Sequence, residues 1–228
     1  MVSIIILSIV LIILIGVLIY FVINKKNLKV RLLEEEAEKG TPETQLALGL
    51  MFYSGVQVAE NKEKGKYYIL KAAENGNAQA QYLYSGIILG NDNTQGKEPT
   101  KEQLLEAASW IEKSADGGFL KAIVTLATMY AEGKIFPKNV KKSQHYFTEA
   151  AKKGDTQSQI TVAGIHHFSM GSDKTLAYAW YKLAEENGSE YAKETAEKLL
   201  TELTEEEKEK AFSKAEEFMV QYGKNAVH

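Results

Sequence analysis

The sequence predicts an all-α protein: an α/α solenoid of helix-turn-helix repeats, preceded by one transmembrane helix. Three observations carry this expectation. Gly40, Gly76, Gly118, Gly154 and Gly188 recur at intervals of 36, 42, 36 and 34 residues, each just after an alanine-rich helical stretch, and a period in this range marks stacked helical repeats. Small and aromatic side chains stand at fixed offsets from those glycines. Residues 2–23 are an uncharged apolar run interrupted by Ser3, Ser8, Gly16 and Tyr20.

The apolar run comes first in the chain. Its 22 positions span roughly 33 Å as a helix, enough for a hydrocarbon core of about 30 Å. A cleaved signal peptide would need basic residues before the run, a shorter apolar core and a small-x-small cleavage site. None of these is present, so a retained anchor is expected over 1–24. Lys25, Lys26, Lys29 and Arg31 follow the run and no lysine or arginine precedes it. The positive-inside rule then leaves the rest of the chain in the cytoplasm, single-pass, with a far-side repeat domain as the alternative. Residues 25–40 read as a juxtamembrane segment and N-terminal capping helix, a lone second helix with Leu32 in the aromatic column and Ala37 before the stop.

Four units follow over 41–188, namely 41–76, 77–118, 119–154 and 155–188. Four residues before the closing glycines stand Ala72, Ser114, Ala150 and Ala184; eight before stand Tyr68, Trp110, Tyr146 and Trp180; eleven before stand Gly65, Ala107, Ser143 and Ala177. Spacings of three and four share one helix face, so each second helix offers a small-large-small stripe. Nine residues after the opening glycines come Gly49, Ser85, Ala127 and Ala163, preceded by Leu48, Tyr84, Leu126 and Val162. Three further on come Phe52, Ile88, Tyr130 and His166. This is a first helix with a narrow crossing point, and the glycine suits the left-handed position that ends a helix.

Start signals agree with these elements. Thr41-Pro42 reads as an N-cap with proline in the first turn. Thr100 with Gln103, and Thr204 with Glu207, have capping-box spacing. The second unit's extra length falls in a polar loop over 91–101, expected to protrude. Residues 189–228 are read as C-terminal capping helices and tail, a charged pair divided near 201–204 that turns Ala211, Ala215 and Phe218 inward.

Composition narrows the chemistry. The chain has 228 residues, a formal charge of −3 and no cysteine. Disulfides and thiolate metal sites are excluded, and interspersed charges leave no footprint for nucleic acid. His166 and His167 diverge by about 100° on a helix, so they do not grip one metal from one face, and His166 occupies a packing column. His145 stands alone and His228 is terminal. No Gly-x-Ser-x-Gly elbow is present, and the acidic clusters Glu34-Glu35-Glu36 and Glu205-Glu206-Glu207 fit solvated helix faces. No catalytic, cofactor or metal residues are assigned, and no enzymatic activity is expected.

These columns resemble the Sel1-like repeat, a relative of the tetratricopeptide repeat. The likeness rests on 48–55 (Leu-Gly-Leu-Met-Phe-Tyr-Ser-Gly) with Tyr68 and 72–76 (Ala-Ala-Glu-Asn-Gly), on 126–133 (Leu-Ala-Thr-Met-Tyr-Ala-Glu-Gly), and on 177–184 (Ala-Tyr-Ala-Trp-Tyr-Lys-Leu-Ala). It covers about 37–188. Ser85 and Ala163 depart from the usual glycine, and Glu185 from the usual second alanine. The resemblance implies a scaffold or adaptor that gathers other proteins, in bacteria often at the envelope; together with the anchor expected over 1–24 it places the chain at a bacterial inner (plasma) membrane, and no cofactor is expected. Alternatives are a hydrolase of the β-lactamase-like branch, a poor match without cysteines, and an immunity or structural protein of an envelope complex. If the array curves as tetratricopeptide arrays do, the inward positions form a candidate groove for a peptide or helix: Glu43, Leu46, Leu50 and Tyr53; Gln79, Tyr82 and Leu89; Lys121, Val124 and Thr128; Gln157, Ile160 and His167.

Overall fold

The computed structural model describes residues 2–90, 98–169 and 171–223, the side chains of 2–10, 19 and 21–27 excepted. The described residues form α-helices joined by turns, in two compact units, Met1–Ile87 and Ile88–His228. The first unit holds α1 (Val2–Glu38), α2 (Pro42–Ser54), α3 (Lys62–Glu74) and all but the last residue of α4 (Ala78–Ile88). The second holds α5 (Lys101–Asp116), α6 (Leu120–Glu132), α7 (Val140–Lys152), α8 (Thr156–Phe168), α9 (Lys174–Glu186), α10 (Glu190–Leu200) and α11 (Glu205–Tyr222). Successive helices pack as pairs, α2 on α3, α6 on α7 and α8 on α9, while α11 folds back onto α9.

A transmembrane helix over residues 2–23 is not supported: among the described residues no helix is long and apolar enough to cross a membrane. Most side chains of that run lie outside the described residues. Its backbone belongs to α1, which continues unbroken to Glu38. The start signals hold at Thr100 and Thr204, where both halves of the capping box form. Thr41 precedes α2 in extended geometry but makes no side-chain cap bond; Pro42 at the first helical position removes one of the N–H groups that a helix start leaves unpaired.

The five stop glycines all adopt left-handed backbone, φ between 80° and 95°. At Gly76 the chain reverses through two bonds, Gly76 N–H to the Ala73 carbonyl at 3.1 Å and Asn77 N–H to the Ala72 carbonyl at 3.0 Å. The same doublet closes at Gly118, Gly154 and Gly188, and it satisfies carbonyls that a helix end otherwise leaves open. The acceptors Ala72, Ser114, Ala150 and Ala184 are completely buried. The small column thus marks where a helix end is pressed into its neighbours.

Small residues also set how closely helices approach. A Cβ built on Gly49 of α2 would stand 2.9 Å from the Ile69 nitrogen and 3.1 Å from the Gly65 carbonyl oxygen, and one on Gly65 would stand 2.8 Å from the Tyr53 nitrogen. Beside this contact Phe52 stacks on Tyr68 at 6.2 Å; in the third repeat Tyr130 stacks on Tyr146 at 6.0 Å. Trp180 packs against Phe218 and Tyr222 of α11 at 4.7 and 5.9 Å. Trp110 is half-buried with the Lys113 ammonium 4.1 Å above its ring. Leu32, expected in the aromatic column, is exposed; Val30 and Leu33 pack instead against the cluster of Ala37, Leu48, Phe52, Val58 and Tyr68.

A polar column accompanies the apolar ones. Gln45, Gln81 and Gln159, each five residues after a stop glycine, are buried and donate to the carbonyls of Ala37, Ala73 and Ala151 at 2.8, 3.1 and 3.1 Å. Asn75 and Asn187 donate in turn to the oxygens of Gln45 and Gln159 at 2.8 and 2.9 Å. Each glutamine so ties the end of the preceding helix to the start of its own.

His166 takes the column position of Phe52 and Tyr130. Burial holds its imidazole below the ordinary value, partly offset by the Asp173 carboxylate. Folding therefore favours the neutral ring, while the unfolded chain takes up a proton below about 6.5. Stability is full above that pH and falls as the pH drops from it toward the lowered native value. Urea titrations should show a wild-type midpoint that declines through this window and a His166→Phe midpoint that declines less. The helical glycines give a second test. Gly49→Ala should destabilise by about 1–3 kcal/mol. Gly164→Ala, whose Cβ would approach nothing nearer than the Tyr181 hydroxyl at 4.0 Å, should instead stabilise by about 0.5–1 kcal/mol.

Candidate functional site

The first helices of the repeats, α2, α4, α6 and α8, carry the residues singled out as a partner-binding stripe. On α2, Glu43 and Leu50 are exposed and Tyr53 is half-buried, whereas Leu46 lies in the core. Periodicity explains the difference, because Leu46 shares its turn with Gln45 and Gly49, which face the neighbouring helices. On α4, Gln79 is exposed and Tyr82 half-buried; Leu89 lies in the turn after the helix, also half-buried. On α6, Lys121 and Thr128 are exposed beside half-buried Val124, and on α8 Gln157 is exposed beside half-buried Ile160.

His167 does not belong to an open face. Its side chain is 10% exposed, with Nε2 3.9 Å from a Glu202 carboxylate oxygen that also accepts from Lys174 at 2.8 Å. The ring meets Tyr181 edge-on at 6.1 Å, and Nδ1 is buried without a hydrogen-bond partner. Burial pushes the Tyr181 phenol up to about 12. His145 is exposed, its ring edge-on to Tyr146, and His228 lies outside the described residues. Among the described residues no three His, Asp or Glu side chains converge to hold a metal ion.

The structure assembles one recurring constellation that the sequence reading passed over. Asn61 and Asn139 cap α3 and α7 by accepting from the Lys64 and Lys142 N–H groups at 2.9 and 3.0 Å. That cap fixes each lysine in the first turn. Their ammonium groups then sit 4.5 Å over the Phe52 ring and 4.7 Å over the Tyr130 ring, favourable cation–π geometry. Lys64 also pairs with Glu34 of α1. In the third repeat Lys142 donates to the Tyr130 oxygen at 3.0 Å and the Tyr130 hydroxyl donates to Glu112 at 3.0 Å. That hydrogen bond to Tyr130 raises the Lys142 ammonium above its ordinary value. Corresponding members lie 78 residues apart in all three pairs, so a lysine and a carboxylate recurring in frame were the available signal. Chemically these are clamps, a cation held between a ring and an acid, and they fix the first helix against the helices on either side.

Comparison with known proteins fits this frame. The Sel1 repeat family model matches residues 42–77, 78–119, 121–155 and 164–189. The chain is 26% identical over 160 residues to the uncharacterized protein NMB1327 of Neisseria meningitidis serogroup B, an alignment covering 69% of this chain and 32% of that one. Among solved structures, a Sel1 repeat protein from Oxalobacter formigenes is similar with a TM-score of 0.64 and 26% identity, over 75% of this chain and 48% of that one. The protective antigen c5321 of uropathogenic Escherichia coli, which displays an SLR fold, is similar in fold with a TM-score of 0.54 and 21% identity, over 85% of this chain and 49% of the other. The chain therefore spans about a third of the curated relative and about half of each solved structure. With repeats matched across more than half of its length, the chain belongs to the Sel1 repeat family and is built as an all-α solenoid of such repeats.

Proposed function

We propose that this protein is a membrane-tethered scaffold that gathers protein partners on the exposed faces of its first helices, acting by binding rather than by catalysis. One observation carries the reading. Glu43 and Leu50, Gln79, Lys121 and Thr128, and Gln157 are exposed at equivalent positions of four successive first helices. Tyr53, Tyr82, Val124 and Ile160 lie half-buried beside them. Apolar and amide groups with few charges suit a helix or an extended peptide, which takes its affinity from apolar anchors and its register from hydrogen bonds.

Support for the tether comes from the chain's first residues. The run over 2–23 carries no charge, and within it Leu11, Ile12, Ile13, Leu14, Val17 and Leu18 are all exposed. A contiguous apolar surface of this kind seeks an apolar medium, and lipid supplies one. The lysines after the run favour a cytoplasmic repeat domain at a bacterial inner membrane. Confinement there raises the effective concentration toward membrane-associated partners without any new contact.

Photocrosslinking in intact cells tests the binding face. A photoreactive residue at Tyr53 or Tyr82 should capture one defined protein species from the membrane fraction, whereas the same residue at Tyr67, exposed on α3, should not. Equal capture at all three positions, or none at Tyr53 and Tyr82, would contradict the assignment.

A further inference from the structure

We infer that the turn between α2 and α3, residues 55–61, rests on the anionic headgroup surface of the bilayer, so that the first repeat is seated on lipid rather than suspended from a linker. This rests on reading residues 2–23 as the membrane segment. No linker separates that segment from the repeats, because α1 runs as one helix from Val2 to Glu38. Its last stretch already serves as a repeat helix. Ala37 is completely buried and its carbonyl accepts from Gln45, while Val30 and Leu33 pack against the Phe52 and Val58 cluster.

The order of contacts along α1 fixes which end of the first repeat faces the membrane. Glu38 pairs with Lys71, near the end of α3, and Glu34 pairs with Lys64, near its start. α3 therefore runs parallel to α1. Val30 and Arg31, one turn nearer the apolar run, line a cleft of about 540 Å³ with Val58, Ala59, Glu60 and Asn61 of the turn. The turn is thus the part of the repeat packed nearest the apolar run. Val30 lies seven residues past Ile23, roughly 10 Å along the helix axis. The headgroup layer outside the hydrocarbon is about 5–8 Å deep, and a tilt of about 20° in the direction of α3 brings the turn down to it. Val56, 58% exposed, and Gln57, at φ 69°, form the outer part of the turn.

Charge selects the lipid. Lys25, Lys26 and Lys29 stand between the apolar run and the cleft, Arg31 lines the cleft and Lys62 follows the turn; Glu34, Glu35, Glu36, Glu60 and Glu63 are acidic groups near them in the chain, and the basic residues are the ones nearest the apolar run. Arg31 lies 3.7 Å from Glu35 and Lys62 lies 3.9 Å from Glu60, both pairs largely in water. Such loose pairs leave the cations free to exchange partners with headgroup phosphates.

The absence of cysteine makes single-site labelling of the full chain clean. Val56→Cys and Glu74→Cys, the latter exposed near the far end of α3, carry a nitroxide in vesicles of phosphatidylglycerol and phosphatidylethanolamine. Vesicle flotation reads the tether, and the ratio of oxygen to nickel-chelate collision reads depth. The expected result is flotation of both variants, with a ratio several-fold higher at position 56 than at 74 that falls when the anionic lipid is left out. Flotation with equal, water-like ratios at both positions would overturn the seating while leaving the tether intact. Failure to float would overturn both. A label shielded in native membranes but not in these vesicles would mean that a protein, not lipid, covers the turn, and would also overturn the inference.

Discussion

Backbone meets backbone in this protein where side chains are smallest, and that constraint organises the rest. Gly49 and Gly65 bring α2 and α3 so close that neither has room for a methyl group. Ser85, Ala127 and Ala163 hold the matching place in later repeats and are nearly or fully buried. In the first and third repeats close approach leaves a wedge beside the contact, and an aromatic pair fills it, Phe52 with Tyr68 and Tyr130 with Tyr146. Neither half works alone. Without the small residue the helices stand apart, and without the rings the wedge is a cavity.

Pressing helix ends into a core creates a second requirement, since every helix leaves carbonyls unpaired at its end. Two devices meet it. The left-handed glycine turns the chain so that two following N–H groups reach back, and the buried glutamine of the next helix supplies a side-chain donor. The third repeat carries Ile123, 3% exposed, in the glutamine column. There the glycine turn supplies Ala115 and Ser114 with donors, at 2.9 and 3.1 Å, and an apolar side chain stands in the place of the glutamine. The polar lock therefore reinforces the turn and is not a condition of it.

Much of this was legible because it is local or periodic. The stop glycines, the capping boxes at Thr100 and Thr204 and the small-large-small columns follow from side-chain size and backbone geometry. The column of His166 was legible as well, and the structure leaves that side chain half-buried. What escaped were interactions whose partners lie in different helices, such as Gln45 with Asn75 or Glu112 with Tyr130 and Lys142. A polar residue in a periodic pattern reads as surface until the helix end it faces is known. The candidate stripe was legible only as a frame. Leu46 and His167 fell in frame yet turned inward, because offsets of three and four carry some positions across the boundary between solvent and core.

In the Sel1 architecture of this chain, clamps of lysine, aromatic ring and carboxylate hold α2 and α6 against the helices on either side, and a surface held in place in this way has less ordering cost to meet on association. The account depends throughout on the in-phase ring pairs sharing energy within a repeat. A double-mutant cycle on Phe52→Leu and Tyr68→Leu, read from urea unfolding, measures that directly. The predicted coupling is about 0.5–1.5 kcal/mol. Additivity to within about 0.3 kcal/mol, as for residues that do not touch, would contradict it.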